Sequence, residues 1–140
     1  MKDRLFLDTN IMLDLLGERD PYYNSIAKIA TLADKGKVRL TVSALSYSTI
    51  FYLLSKIEKA ENVKEKLRKF KIISETSDLT DKIIDKALSS NFKDFEDALQ
   101  YHCALNANCN ILITRNEKDF KPSEIPVMTA EEYLKKLKNK

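Results

Sequence analysis

The stretch Lys93-Asp-Phe-Glu-Asp-Ala-Leu-Gln-Tyr-His-Cys-Ala-Leu-Asn-Ala-Asn-Cys-Asn-Ile-Leu-Ile-Thr-Arg-Asn-Glu-Lys-Asp-Phe120 constrains the fold more than any other. Its apolar positions Phe95, Ala98, Leu99, His102, Cys103, Leu105 and Ala107 recur at mostly helical spacing, and Asn108 to Asn110 stops the helix. Ile111-Leu-Ile113 follows without polar alternation, so it reads as a strand buried on both faces, and such strands belong to parallel sheets covered by helices on each side. Acids stand at both ends of this unit: Asp94, Glu96 and Asp97 at the head of the helix, and Glu117 and Asp119 just past the carboxyl end of the strand. Ligands of open α/β sheets bind at the carboxyl ends of the strands.

The amino-terminal stretch has a related form. Leu5-Phe-Leu7 is a short apolar run that ends in Asp8-Thr-Asn10, and Ile11, Leu13, Leu15 and Leu16 then mark a helix closing near Gly17. Asp8 is therefore expected at the carboxyl end of a central strand. Ile26, Ile29, Ala30, Leu32 and Ala33 give a second helix that ends at Lys35-Gly36, and Val38 to Val42 alternates as a strand. A helix from about Ala44 is apolar on more than one face, which implies burial inside the fold or at a dimer contact. Downstream, the pattern predicts a charged helix over 61–69, a strand over 70–73, a helix capped by Thr80, an edge strand over 125–128, and a last helix opened by the Thr129 to Glu132 capping box. The alternation of strands and helices predicts an α/β fold of three layers around a parallel sheet of four to five strands. At 140 residues the chain is expected to form one domain, 1–140.

Composition narrows the partners. A formal charge of +3 and a pI of 8.7 permit RNA without requiring it. No apolar run approaches the length of a membrane span, and the first residues lead straight into a strand instead of a signal peptide, so a cytoplasmic protein is expected. Cys103 and Cys109 are the whole cysteine complement; they make neither a disulfide framework nor a zinc quartet and read as small core residues.

Each acidic turn has a structural explanation beside a functional one. Asp8 and Asn10 suit the cap of the first helix, Asp94 an N-cap with Asp97 at the third position, and Asn116 with Asp119 repeats that spacing. Acids in first turns also gain roughly 0.3 to 1 kcal/mol from the helix dipole with no function involved. Capping alone does not explain why Asp8 and the 116–119 turn both follow apolar strands of one parallel sheet while the Asp97 helix feeds into one of them. Several carboxylates converging at one sheet edge suit a hard divalent cation, Mg²⁺ or Mn²⁺, which prefers oxygen ligands. Asp14 reads as a solvent-facing helix residue, and His102 as a core or surface residue instead of a general base.

Three pieces together resemble the PIN domain, and most closely the VapC-type toxin ribonucleases of toxin-antitoxin pairs. They are Leu7-Asp-Thr-Asn-Ile-Met-Leu-Asp-Leu-Leu16, Phe95-Glu-Asp-Ala-Leu-Gln100 and Ile113-Thr-Arg-Asn-Glu-Lys-Asp-Phe120, in the family's order across nearly the whole chain. The resemblance implies a three-layer α/β/α fold, homodimers, a Mg²⁺ or Mn²⁺ site, endonucleolytic cleavage of RNA, and inhibition by a small antitoxin protein. Position by position, it makes Asp8 the first metal-site acid and Asp97 the third. Asn116 and Asp119 share the fourth position, and Thr9, Asn10 and Thr114 become supporting groups. One departure stands out. The family's second acid is usually a Glu early in the helix after the second strand, and Thr49 occupies that place, with Asp94 or Glu96 as the acids nearest to compensate. A second reading follows, in which a PIN-like module binds RNA or a partner protein without cleaving. A third is a structure-specific DNA nuclease on a related fold. RNA contacts are expected from Arg115, with the basic residues from Lys56 to Lys71 reading mostly as a solvated face.

Overall fold

A computed structural model describes residues 2–139. Alternation along two short strands sets its layers. In β1 (Arg4–Leu7), Leu5 and Leu7 pack on one face and Phe6 on the other; in β4 (Ile111–Ile113), Ile111 and Ile113 join the first face and Leu112 the second. All six side chains are buried, as strands enclosed on both faces require. Against the Leu5 face lie α1 (Thr9–Leu16), α2 (Tyr23–Asp34), α3 (Ala44–Leu54), α4 (Ala60–Ile72) and α7 (Ala130–Lys138). Against the Phe6 face lie α5 (Asp81–Leu88), α6 (Phe95–Asn106) and a 3₁₀ turn at Glu117–Phe120. The result is the expected α/β/α sandwich. Among the described residues no helix is long and apolar enough to cross a membrane.

The sheet has five strands, all parallel, in the order β3-β2-β1-β4-β5, with β2 at Arg39–Ser43, β3 at Ser74–Ser77 and β5 at Val127–Met128. The chain steps from β1 to β2 and β3 on one side, then returns to place β4 on the other. This reversal makes the gap between the carboxyl ends of β1 and β4 the topological switch point, where such folds open a ligand crevice. Asp8 bridges it, its backbone N–H donating to the Ile113 carbonyl at 3.0 Å.

Helix termini follow the expected chemistry. The Thr80 hydroxyl accepts from the Ile83 N–H at 3.2 Å, and Thr129 with Glu132 forms a reciprocal capping box on α7. One strand expectation fails. Residues 70–72 continue α4, because Phe70 lies two turns from Val63 on one buried stripe, and the strand is instead the polar Ser74–Ser77. As an edge strand with Glu75 exposed, it needs no apolar run.

Candidate active site at the carboxyl ends of two central strands

Asp8 occupies the N-cap position of α1 but makes no side-chain capping bond. Asp8 is 6% exposed, and its carboxylate accepts the Thr114 hydroxyl at 2.9 Å. Asp94 does cap, accepting the Asp97 N–H at 3.0 Å, and so starts α6 in a direction that carries Asp97 toward Asp8. Of the two explanations for these acids, capping therefore accounts for Asp94 and fails for Asp8. Asn116 precedes the 3₁₀ turn without a side-chain cap, so capping fails there also.

The carboxylates repel one another. Burial and then the nearby charges of Asp94, Asp8, Asp119 and Glu96 push Asp97 up to about 7. Burial likewise raises Asp8, opposed by the Thr114 hydroxyl, with Glu96 and Asp119 adding to the rise. A cleft of about 400 Å³ opens beside them, lined by Asp94, Asp97 and Asp119 together with Lys93, Lys118 and Lys121. None of these lysines forms an ion pair among the described residues. The cleft thus holds uncompensated negative charge within a rim of free positive charge.

This donor set suits a hard cation: every group is a carboxylate oxygen, and their mutual repulsion is relieved by a positive ion. No three of them close into a ready-made cage among the described residues.

The remaining expected residues divide. Thr114 is fully buried and orients Asp8. Thr9, also buried, turns away from the acids: its hydroxyl lies 2.7 Å from the Ser46 hydroxyl and accepts the Gln100 amide at 3.0 Å. Asn10 is exposed. Thr49 is half-buried on α3, one turn beyond Ser46, and donates only a long 3.5 Å bond to the Leu45 carbonyl. Asn116 is exposed and lines a neighbouring cavity of about 290 Å³, with Asp14, Tyr22 and Arg115. Arg115, expected to hold RNA, instead gives two guanidinium bonds to Asp14. Asp14 is no solvent-facing residue: it is completely buried, which its pairing with Arg115 permits. His102 is half-buried beside Tyr101, away from the acids, and burial lowers its pKa. Lys64 and Arg68 of α4 pair with Glu61 and Glu65 on a solvated face, as expected, while Lys66 pairs with Glu58 in a partly buried position and also bonds the Leu16 carbonyl. Both cysteines are free and buried.

Sequence reasoning missed Ser46, Gln100 and the three cleft lysines. Gln100 follows Asp97 by one turn and is 1% exposed, against the usual exposure of its residue type, so nothing in its identity announced it. The lysines carried no periodic signal.

Comparison with known proteins supplies the family and the fold. Residues 4–118 match the PIN domain family model. Over 138 residues the chain is 30% identical to Ribonuclease VapC1 of Aquifex aeolicus (strain VF5), covering 96% of this chain and 95% of that one. Among solved structures, a toxin-antitoxin complex from Klebsiella pneumoniae superposes with a TM-score of 0.66 at 21% identity, covering 90% of this chain and 97% of that one. VapBC2 from Rickettsia felis, bound to a DNA fragment from its promoter, gives 0.64 at 22%, covering 89% and 96%. At those identities the two structures establish the fold, and the family match with the VapC1 relationship establishes the lineage: the chain belongs to the PIN domain family, among its VapC-type members.

Proposed function

We propose that this protein is a metal-dependent endoribonuclease toxin that hydrolyses RNA phosphodiester bonds at the Asp8–Asp97 cleft and is held in check by a small antitoxin protein. One observation carries the reading: acids from three distant stretches, at 8, 94–97 and 119, lie close enough that Asp94, Glu96 and Asp119 help to raise the carboxyls of Asp8 and Asp97, and none of them forms an ion pair among the described residues. The ribonuclease name of the VapC1 relative and the toxin-antitoxin assembly of the Klebsiella structure support the substrate and the partner.

Asp8 and Asp97, helped by Asp119 or Asp94, would hold Mg²⁺ or Mn²⁺. Bound there, the ion supplies a water of lowered pKa and a positive charge beside the phosphate. The residues of the chain supply the rest. Thr114 fixes the rotation of the Asp8 carboxylate, Asp94 fixes the start of α6 and hence Asp97, and Lys93, Lys118 and Lys121 hold flanking phosphates. Arg115 has its Nε and one Nη committed to Asp14 and contributes to the cleft through position more than through contact. Tyr52 at the end of α3 and Ile57 just after it are largely exposed and give a homodimer an apolar surface to bury.

The competing reading, a module that binds without cleaving, draws on Thr49, whose hydroxyl brings no charge where the family's second acid stands. One set of measurements separates the two. Purified protein with Mn²⁺ is expected to cleave single-stranded RNA, and Asp97→Asn to abolish cleavage and relieve growth arrest on expression. Calorimetry is expected to show Mn²⁺ binding that Asp8→Asn removes. Unchanged cleavage in Asp97→Asn excludes this mechanism, and absent Mn²⁺ binding with retained RNA binding favours the module.

A further inference from the structure

Asp14 is a buried acid that the proposed chemistry does not use. Its two oxygens accept separate bonds from one guanidinium, Oδ2 from the Arg115 Nε at 2.8 Å and Oδ1 from its second Nη at 3.2 Å. Arg19 approaches from outside at 3.9 Å. The Arg115 guanidinium also lies over the Tyr22 ring, 3.9 Å from its centroid, so the side chain is held in its plane as well as at its tip.

Arg115 stands between the two residues that orient Asp8. The Asn116 N–H donates into the Thr114 hydroxyl oxygen at 3.1 Å, and that hydroxyl donates to Asp8 Oδ2 at 2.9 Å. A hydroxyl has one proton. With Asn116 arriving as a donor, the Thr114 proton has Asp8 as its acceptor. The relay depends on where the Asn116 amide points; Asn116 to Asp119 are exposed, and the turn that follows is pinned at its far end by the buried Phe120. At the near end, next to Asn116, the anchor is Arg115.

We propose that the Asp14–Arg115–Tyr22 stack is a positioning clamp for the metal-facing carboxylate of Asp8: it fixes the Asn116 amide, which fixes the Thr114 hydroxyl, which fixes Asp8. Its catalytic consequence rests on the ribonuclease reading; its structural link to Asp8 does not. Arg115→Lys is the test, because lysine keeps the charge that buried Asp14 needs yet cannot give two parallel bonds or stack as a plane. Three results are expected. Amide hydrogen exchange at Asn116 quickens while Phe6 and Leu112 in the sheet stay protected. Mn²⁺ affinity in the absence of RNA falls by about 10- to 100-fold, the usual effect of losing a group behind a ligand. In RNA cleavage kcat falls and KM holds.

Tyr22→Leu removes the stack at a residue 42% exposed and is expected to move the same three readouts less. Unchanged Asn116 exchange and Mn²⁺ affinity in both variants overturn the clamp. A raised KM with unaltered Mn²⁺ affinity also overturns it, making Arg115 an RNA contact. If the wild type does not cut RNA but exchange and Mn²⁺ affinity respond, the clamp stands and the ribonuclease reading is the one that fails.

Discussion

At the scale of single residues, Asp97 carries the clearest electrostatic consequence. In the folded protein without metal its carboxyl keeps its proton up to about pH 7, against 3.8 for the ordinary group, because burial disfavours the ion and ionising it also adds a charge beside Asp94, Asp8 and Asp119. The folded state therefore binds more protons than the unfolded chain between those values, and stability falls as pH rises through that window. Burial raises Asp8 as well, so its contribution has the same sign. Thermal melts of the metal-free protein are expected to show a midpoint that declines from pH 5 to pH 8, with a smaller decline in Asp97→Asn. Mn²⁺ replaces the proton as the neutralising charge, so its addition is expected to raise the midpoint more at pH 8 than at pH 5. Parallel profiles for the two proteins would show that Asp97 ionises normally and that the carboxylates do not converge.

At the scale of elements, α6 shows one residue serving two ends. Asp94 satisfies the Asp97 N–H and also presses its charge on the Asp97 carboxyl. The two roles separate on substitution, since asparagine caps about as well as aspartate and alanine does not. Asp94→Ala is expected to lose about 1 kcal/mol of stability in denaturant unfolding, the usual cost of a lost cap, and Asp94→Asn to lose almost none. Both are expected to weaken Mn²⁺ binding, and less than Asp97→Asn does. Equal destabilisation by Asn and Ala would show that charge, not capping, holds the helix start.

At the scale of the whole molecule, a net charge of +3 conceals an acidic crevice rimmed by basic groups. The same surface can then hold a cation at its floor and a polyanion at its edge. Replacing Lys93, Lys118 and Lys121 together by alanine is expected to lower the slope of log affinity for single-stranded RNA against log salt by about 2, at roughly 0.7 per phosphate contact. Mn²⁺ affinity should remain or rise. Anisotropy titrations across a range of KCl, in an Asp97→Asn background that leaves RNA intact, read this directly. A slope equal to that of Asp97→Asn alone would place the RNA elsewhere.

What the sequence determined by itself was local. Leu5-Phe-Leu7 and Ile111-Leu-Ile113 declare strands enclosed on both faces, Thr80 and Thr129 declare helix starts, and the acids after the two strands follow from reading along the chain. These features are legible because periodicity and capping depend on neighbours a few residues apart. The family resemblance added which acids to expect at the site and the departure at Thr49. Tertiary structure alone decided the rest. Ser74–Ser77 became a strand because β2 offered it an edge, although its residues carry no apolar signal. Asp14 became a buried ion and not a surface acid because sheet order sets β4 beside β1, delivering Arg115 from 101 positions away. Gln100, Thr9 and Ser46 met for the same reason, and so did the cleft lysines from two separate stretches. A side chain's own sequence shows whether it tends inward; the partner that makes its burial affordable is fixed only when distant strands pair.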